Sequence, residues 1–594
     1  MKKMFSVQKT SDILLNILYA FSAFCSVFAI TEYFFDDALW GNQSFLNLIA
    51  FILIFALFKL VLTKTNKQCI ACGMIFSMLL SLSLIIGKCI YNGSTISSLF
   101  GSAKSGIIML CSLYGFGALF YATFILMANW LTQYAIAPSH KTYKILHLPF
   151  LYGILMFLCW LPCYLAYYPG IFAYDIELQT MEALRTVSYS RFHPPLHTFI
   201  WNICLYLEQI SGLNGLVIYS VLQMGIWAFA LSCVLHFMVR MKYNPWLIAG
   251  SFCFFAFNPV IALFSFIPVK DSMLTAFFAL FTVELYSLSD TELNKKRLIV
   301  SNIRLIIVGI VCCLLRNNVV YALIPAFLIM LFIIGKNWKR ITLCSCCILV
   351  GFLLINGPIY TAMGVEKGNS REMLSVPMQQ IAYVAVTNND SLSPDELDRI
   401  NQYIPTEQIA ETYNPRFADP VKGTFITENF VQNPADFFKL WADLLVQYPE
   451  EYIVSFLNLN IPYWYPDANS VDAYAKRSYI ETTIPTNPMT EYVVIRDGKI
   501  PMLYEQYEKV ASFERFKTLP IVSNIFSLSF PIWFLIFGTL IQIIKKEKKT
   551  LVVILPALLL WCTFMLGPVS NLRYLLPIIA MYPLYFTILF SKNK

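Results

Sequence analysis

The sequence predicts an all-α polytopic membrane protein with about fourteen transmembrane helices. Of its 594 residues, 58% are hydrophobic and only 13% are charged, and the mean hydropathy is +0.62; a soluble protein carries about 25% charged residues. Apolar runs of about 20 residues, the length that crosses a bilayer as a helix, recur along most of the chain. The 16 cysteines fall mostly inside these runs without paired loop spacing. We therefore expect them to be small packing residues, not disulfides.

The basic residues determine the predicted orientation. The net charge of +8 sits mainly in short loops, as the excess of Lys and Arg in cytoplasmic loops predicts, and it gives no reason to expect a nucleic-acid partner. Both termini carry lysines and are predicted to be cytoplasmic. The predicted spans are residues 12–33, 43–63, 69–91, 105–131, 146–167, 214–239, 245–267, 271–289, 298–315, 318–335, 341–360, 521–543, 550–568 and 574–591.

Residues 194–210 are predicted not to cross the membrane. This segment is apolar but short, and it opens with two prolines. If it crossed, every later basic loop would lie outside, among them Arg240 with Lys242 and the run from Lys545 to Lys549. A re-entrant or surface-lying helix keeps all of these loops inside.

The pattern divides the chain into four regions. Residues 1–145 hold predicted N-terminal transmembrane helices, and residues 146–360 a transmembrane core with an outer loop at 168–193. Residues 361–520, here named the insertion, are too long for a simple connection. Their helix-start and amphipathic signals predict an extracytoplasmic α-rich domain. Residues 521–594 return as C-terminal transmembrane helices.

The loop at 168–193 provides the first candidate site residues. It carries Asp175 and Glu177, and His193 opens the sequence His-Pro-Pro-Leu-His, which ends at His197. Ionisable side chains beside lipid are costly to hold, so their concentration at a membrane boundary indicates a functional site. Each residue also has a structural alternative: a helix cap or an ordinary loop carboxylate for the acids, and a turn-forming or buried structural residue for the histidines.

Other candidate residues are predicted to reach the same outer face. Lys270 with Asp271, Arg316 and Arg573 stand at outer ends of spans, and Trp464 lies in a Pro-Tyr-Trp-Tyr-Pro segment of the insertion. Arginines on the outer face run against the usual charge bias, which favours a functional role. The alternatives are snorkelling anchors, a simple Lys-Asp ion pair, and an interfacial aromatic belt.

The core resembles a known enzyme family. An apolar span, then Tyr-Pro-Gly-x-x-x-x-Asp ending at Asp175 with Glu177 nearby, then His-Pro-Pro-Leu opening a helix, resembles the GT-C glycosyltransferases. These polytopic enzymes are related to protein O-mannosyltransferases and lipid A aminoarabinose transferases. The resemblance covers about residues 150–290, and the rest of the chain by layout only. It departs in the four spans that precede the core and in the acidic pair, which is usually adjacent and here is Asp175-x-Glu177.

The resemblance implies a GT-C-like core that transfers a sugar from a polyprenyl-phosphate donor to an acceptor outside the cell membrane. The acceptor would be an envelope glycan, a lipid or a protein. In the family the first outer loop carries a catalytic acidic residue and the next outer loop a second one, a position that Asp271 matches. Catalytic roles are therefore expected for Asp175, Glu177 and Asp271, with Asp175 as the base that removes the acceptor proton.

The leaving group of such a reaction is a lipid phosphate, whose developing charge needs fixed cations. Lys270, Arg316 and Arg573 are expected to bind it. A divalent metal held by Asp175, Asp271 or His193 is a further expectation, and His193, His197 and Trp464 are expected to contact substrate. The sequence contains no Gly-x-Gly-x-x-Gly or P-loop pattern, as expected for a donor that comes from the membrane.

Two other functions compete with sugar transfer. A flippase for lipid-linked oligosaccharides or another transporter would show repeated halves and broken helices near the bilayer midplane, whereas the charged residues here gather at one face. A polymerase or ligase of envelope polysaccharide also uses lipid-linked donors and outer arginines. It gives no reason for the pairing of Asp175 with Asp271.

The orientation can be tested with cysteine labelling. We expect an impermeant thiol reagent added from outside to reach Asn214→Cys but not Lys242→Cys, because residues 194–210 return to the outer face without crossing. The unsubstituted chain is the control for its own 16 cysteines. Labelling of Lys242→Cys from outside, without labelling of Asn214→Cys, would show that the segment crosses.

Overall fold

The structure, a computed structural model, describes residues 2–34, 44–61, 67–136, 149–289, 295–334, 337–468, 478–482, 492–519 and 521–591. Within these ranges the chain is all-helical, with isolated bridges such as Ser190–Glu366 but no strands. The predicted all-α class is confirmed. The region boundaries predicted at residues 145 and 520 lie outside the described residues.

In the described part of the chain, helices α1 to α14 precede the insertion. They are α1 (Lys2–Phe34), α2 (Ser44–Val61), α3 (Lys67–Tyr91), α4 (Ala103–Gln133), α5 (Pro149–Ala166), α6 (Ile176–Ala183), α7 (Pro195–Ser211), α8 (Gly215–Arg240), α9 (Pro245–Phe257), α10 (Pro259–Phe264), α11 (Lys270–Tyr286), α12 (Lys295–Leu315), α13 (Asn318–Ile334) and α14 (Trp338–Leu354). A π-helical turn at Ile355–Ile359 and a last turn at Tyr360–Ala362 extend α14.

The remaining helices form the insertion and the C-terminal region. They are α15 (Ser375–Thr387), α16 (Pro394–Asn401), α17 (Thr406–Thr412), α18 (Asp419–Thr424), α19 (Thr427–Gln432), α20 (Pro434–Gln447), α21 (Pro449–Leu459), α22 (Ile461–Trp464), α23 (Pro501–Ala511), α24 (Glu514–Lys517), α25 (Val522–Ile525), α26 (Phe530–Lys545), α27 (Lys548–Phe564), α28 (Leu572–Ile579) and α29 (Tyr582–Phe590).

Six of the described helices are long and apolar enough to cross a membrane, namely α1, α3, α4, α8, α12 and the extended α14. The pair α28 and α29, bent by 41°, would make a seventh span if it crosses as one unit. Five shorter apolar helices accompany them, namely α2, α5, α9, α13 and α26. The chain therefore has the helices of a multi-pass membrane protein, and the finer count of about fourteen crossings stays a prediction.

One predicted span is broken for a local reason. The predicted span 245–267 is divided into α9 and α10 at Asn258-Pro259, where the proline cannot continue the hydrogen-bond ladder of the first helix. The Asn258 side chain accepts from the backbone N–H of Val260 (2.9 Å) and Ile261 (3.3 Å), so the second helix starts with its free amides satisfied.

Helix α7 covers the segment predicted not to cross. It opens at Pro195 and ends at Ser211, and the following Gly212 has a φ of 71°, in the left-handed region that favours glycine. It is not among the six long candidates. One face buries His197 and Trp201, whereas Ile203 and Tyr206 on the other face are exposed. This two-sided character is typical of a helix that lies along a surface.

The insertion has its own hydrophobic core between Leu374 and Tyr452, built from helices α15 to α21. From Val454 onward its buried side chains, including Tyr463 and Trp464, join the main core of the transmembrane helices. The insertion is therefore α-rich, as predicted, and its second half packs into the body that carries the candidate site.

Candidate functional site

Six of the predicted residues meet in one charged cluster: Asp175, His193, Lys270, Asp271, Arg316 and Arg573. Asp175 lies at its centre. The Oδ2 atom of Asp175 is 2.9 Å from the Lys270 ammonium, 3.1 Å from Nη1 of Arg573 and 3.8 Å from Nδ1 of His193. The six side chains are between 0% and 19% exposed, so their charges interact with little screening by water.

The loop before α6 holds Asp175 in a constrained backbone conformation. Tyr174 has a φ of 62°, which is rare for a bulky residue and persists only where the surroundings determine it. Gly170 has a φ of 148° and packs closely on α8, because a Cβ there would lie 2.9 Å from the Ser220 hydroxyl. The Asp175 carboxylate is thus fixed by its backbone as well as by its ion pairs.

Lys270 and Asp271 begin α11, and Gln223 of α8 holds the turn that leads to them. The Gln223 side-chain nitrogen lies 2.8–3.1 Å from three carbonyl oxygens of this turn, those of Phe264, Ser265 and Ile267, which share its two N–H donors. A carboxylate in the first turn of a helix is favoured by the helix dipole. Asp271 is fully buried there and is paired with Arg316.

The two arginines are held by aromatic rings as well as by carboxylates. Arg316 lies over the ring of Tyr574 at 4.1 Å, and Arg573 lies over Tyr174 at 4.8 Å. Arg573 also approaches Asp271, with Nε 3.8 Å from Oδ2. The planar guanidinium groups are therefore oriented, and Arg573 bridges the two carboxylates of the cluster.

The protonation states follow from this geometry. Burial raises the pKa of the Asp175 carboxyl, but Arg573 and Lys270 outweigh burial and hold that pKa well below its ordinary value. Burial and the Lys270 ammonium lower the pKa of His193 to about 3, although Asp175 acts in the opposite direction. At neutral pH Asp175 is therefore ionised and His193 neutral. Because an ammonium only donates, Nδ1 of His193 accepts in its 3.3 Å contact with Lys270.

The cluster carries an excess of positive charge. Three cations face two carboxylates, and the histidine is neutral. Three of its buried polar atoms have no hydrogen-bond partner in the described part of the chain: Asp271 Oδ2, Arg316 Nε and Arg573 Nε. Two of these atoms are arginine donors, and Arg573 Nε lies 3.8 Å from Asp271 Oδ2. The excess of cationic charge in a poorly hydrated site is suited to an anion such as a phosphate group.

The Lys270 side chain lies among the residues that were predicted to bind a metal ion. Asp175 and His193 lie 3.8 Å apart, but the Lys270 ammonium contacts both of them. Asp271 is paired with Arg316. Among the described residues no group of three or more His, Cys, Asp or Glu side chains has a geometry that could hold a metal ion. The positive charge that a metal would bring next to Asp175 is already supplied by Lys270.

Three other predicted site residues lie outside the cluster. No described contact joins Glu177 to it, and Oε1 of Glu177 is buried without a hydrogen-bond partner in the described structure. Both ring nitrogens of the buried His197 are engaged, with Gln179 at 2.8 Å and Tyr219 at 2.7 Å. Trp464 is 9% exposed and donates to the carbonyl of Leu457, so its ring is packed in the core and does not offer a free face to a sugar.

Several residues that hold the cluster have no role assigned from the sequence, although Glu182 belongs to the ionisable side chains of the loop at 168–193. Tyr174 and Tyr574 stack on its arginines. Glu182 bonds to residues on either side of His193 in the sequence. The buried Glu182 carboxylate accepts from Ser190 and from Thr198. The only signal in the sequence is the position of each tyrosine next to a candidate ionisable residue, which does not distinguish it from an interfacial aromatic residue.

A segment of the insertion closes over the Asp175 loop. This segment, the strap, consists of residues 478–482 and 492–511. Its backbone N–H groups at Asp497 and Lys499 donate to the carbonyls of Tyr168 and Leu165, both at 2.8 Å. The N–H of Glu481 donates to the Tyr174 hydroxyl at 2.8 Å. The strap therefore contacts the loop on both sides of its Tyr-Pro-Gly turn.

Comparisons with known proteins place the chain in one family. A model described as "Family of unknown function (DUF6020)" matches residues 193–594. The match covers more than half of the chain, so the protein belongs to this family. It begins at His193, and Asp175 precedes the matched range. No curated protein and no solved structure matches the chain.

The strap provides a test of how the Asp175 loop is held. A Cβ on Gly498 would overlap the carbonyl oxygen of Ala166, so we expect Gly498→Ala to cost about 1–3 kcal/mol and to loosen the loop. Hydrogen exchange of residues 165–175 should accelerate. Gly423→Ala is the matched control, since a Cβ there meets nothing within 4 Å. Equal exchange in the two variants would show that the strap does not hold the loop.

Proposed function

We propose that this member of a family of unknown function is a GT-C-type membrane glycosyltransferase. It would move a sugar from a polyprenyl-phosphate donor to an envelope glycan, lipid or protein. In this proposal the charged cluster lies at the extracytoplasmic face of the cell membrane, and both termini are cytoplasmic. The observation that carries the proposal is the contact of Asp175 with Lys270 and Arg573 beside the buried Asp271–Arg316 pair.

The charge of the cluster suits a phosphodiester donor. A polyprenyl-phosphate sugar carries one negative charge at its phosphate, and the cluster has one positive charge in excess. Lys270 and Arg573 would bind the phosphate, and Arg316 would support Arg573 through their shared contacts with Asp271 and Tyr574. When the sugar leaves, the lipid phosphate gains a negative charge, which these fixed cations stabilise in the transition state.

The acceptor step would use Asp175. The acceptor hydroxyl attacks the anomeric carbon, a new carbon–oxygen bond forms, and the bond from that carbon to the phosphate oxygen breaks. The hydroxyl proton passes to Asp175, and the polyprenyl phosphate leaves. A carboxylate held by two cations is a weak base, because the cations favour its ionised form. A phosphate that draws Lys270 and Arg573 toward itself would make Asp175 a stronger base at the step that needs one.

A divalent metal ion remains an alternative source of positive charge in this proposal. Asp175, Asp271 and His193 would be its ligands, and it would stabilise the leaving phosphate. In the described structure Lys270 stands between two of these three groups. Residues of this chain alone therefore provide a complete set of roles, with Asp175 as the base and Lys270, Arg316 and Arg573 as the phosphate site.

A flippase or other transporter is the second candidate, and a polymerase or ligase the third. Transporters bind substrate at broken helices near the bilayer midplane. The charged cluster is built from the first turns of α11 and α28 and the connection between α12 and α13, and of these helices only α28 belongs to a bent pair. A carboxylate surrounded by cations is better suited to acid–base catalysis with a lipid-phosphate donor than to the transport of a solute.

The first test is Asp175→Asn, which keeps the side-chain shape but cannot accept the acceptor proton. We expect sugar transfer from a polyprenyl-phosphate sugar in proteoliposomes to fall by orders of magnitude, on the scale of about 10²–10⁴ for a lost general base. Abundance and donor binding should remain. Glu177→Gln is the matched control, with a smaller loss. Transfer by Asp175→Asn at the wild-type rate would remove the main support for this function.

The second test concerns the donor phosphate. We expect Arg573→Ala and Arg316→Ala to weaken donor use, and Arg573→Ala to weaken it more because Arg573 contacts both carboxylates. The measurement is the KM for the donor with membrane insertion checked in parallel. Arg399→Ala is the control, since Arg399 forms a partly exposed pair with Asp443 within the insertion. Wild-type donor KM in both cluster variants would identify the two arginines as anchors only.

A further inference from the structure

The turn at residues 565–571, which precedes Arg573, is bonded to the insertion at several places. Four successive points of the turn at 565–571 have partners there. Met565 and Pro568 accept through their carbonyls, from Asn460 and Ala418, both at 2.9 Å. The Ser570 hydroxyl donates to a carbonyl of α21, and Asn571 contacts Tyr463. The turn contains no helix that would fix its backbone, so its conformation depends on these contacts.

Tyr463 makes the most specific of them. Its hydroxyl accepts from the backbone N–H of Asn571 at 2.7 Å and donates to the carbonyl of the same residue at 2.9 Å. Tyr463 is fully buried. One hydroxyl therefore satisfies both backbone groups of a buried residue, and without it both groups would lack this partner.

Asn571 passes this constraint to Arg573. The Asn571 side chain accepts from the backbone N–H of Arg573 at 3.1 Å and caps α28. Arg573 stands in the first turn of that helix, and its guanidinium reaches Asp175, which lies 398 residues earlier in the chain. A shift of the cap would move the Cα atom of Arg573. The contacts of the Arg573 side chain with Asp175 and Asp271 would then change, because close packing in a buried site leaves the side chain little room to adjust.

The other side of α22 is anchored to transmembrane helices. The carbonyl of Trp464, next to Tyr463, accepts from the Ser83 hydroxyl of α3 and from the indole N–H of Trp533 of α26, both at 2.9 Å. Gly87 of α3 lies so close to Tyr465 that a Cβ there would overlap the ring. The position of Tyr463 is therefore fixed by the helices that hold its neighbours Trp464 and Tyr465.

We infer that Tyr463 is a positioning residue of the charged cluster, and that the Pro-Tyr-Trp-Tyr-Pro segment serves to aim Arg573 rather than to stack on a sugar. Tyr463 itself touches no reacting group in this assignment. It acts through Asn571, which sets where Arg573 enters the cluster. The assignment follows from the geometry of the cluster, and only its consequence for the donor depends on the proposed function.

The test compares Tyr463→Phe with Tyr452→Phe in the full-length protein. Tyr452 is the matched control, since it is also buried and its hydroxyl donates to a backbone carbonyl, that of Trp441 at 2.8 Å, within the separate core of the insertion. The first measurement is the rate at which phenylglyoxal modifies Arg573, read by peptide mass spectrometry. Arg399, in its surface pair, is the internal reference.

We expect Arg573 in Tyr463→Phe to react about tenfold faster than in the wild type, as for the loss of hydrogen bonds that hold a buried group. Arg399 should react unchanged, and Tyr452→Phe should match the wild type at both arginines. Asn571→Ala, which removes the cap but keeps the tyrosine, should also expose Arg573 and serves if Tyr463→Phe does not fold. Unchanged labelling of Arg573, or equal acceleration at Arg399, would overturn the assignment.

The second measurement is kinetic. In Tyr463→Phe the KM for the polyprenyl-phosphate donor should rise about tenfold while the KM for the acceptor stays constant. A fall in kcat with both KM values unchanged would mean a smaller active fraction and would overturn the positioning role. If the wild-type protein transfers no sugar, the proposed function fails, and the labelling of Arg573 still decides the inference.

Discussion

One carboxylate oxygen, Oδ2 of Asp175, joins the parts of this structure, because Lys270 and Arg573 both contact it. Taking charged groups out of water is expensive, and only close pairing offsets the cost. The two cations come from helices that are far apart in sequence, so the starts of α11 and α28 have to meet at the loop before α6. This requirement links the transmembrane core, the insertion and the C-terminal helices.

The helix ends explain why the site should attract an anion. The first turn of a helix presents unpaired N–H groups and a partial positive charge. Asp271 is favoured there, whereas Lys270 and Arg573 add further positive charge to helix starts. Backbone groups in these turns are satisfied by distant side chains, Gln223 at one and Tyr463 at the other. The fold thus maintains a cationic site that its own dipoles disfavour, and an anion relieves this imbalance.

Sequence patterns predicted the all-α class and the residues that meet in the cluster, because charge bias and span ends place residues on one face. They could not predict which side chains hold that face together. Tyr463 and Asn571 are 108 residues apart, and their bond depends on how the insertion packs against α28. The same packing buries Trp464, which the sequence pattern presented as a surface aromatic residue. Likewise, the two bonds of His197 are visible only once α7 and α8 are packed.

Under the proposed function, the pairing of Asp175 gives the reaction an order. Before a donor binds, Asp175 is paired with Lys270 and Arg573, and its low pKa makes it a poor proton acceptor. An acceptor hydroxyl that arrives alone then meets a base that is held by two cations. A bound phosphate competes for those cations, so the carboxylate regains basicity only when the sugar to be transferred is in place. The ion pairs that stabilise the empty site would in this way also suppress proton abstraction without a donor.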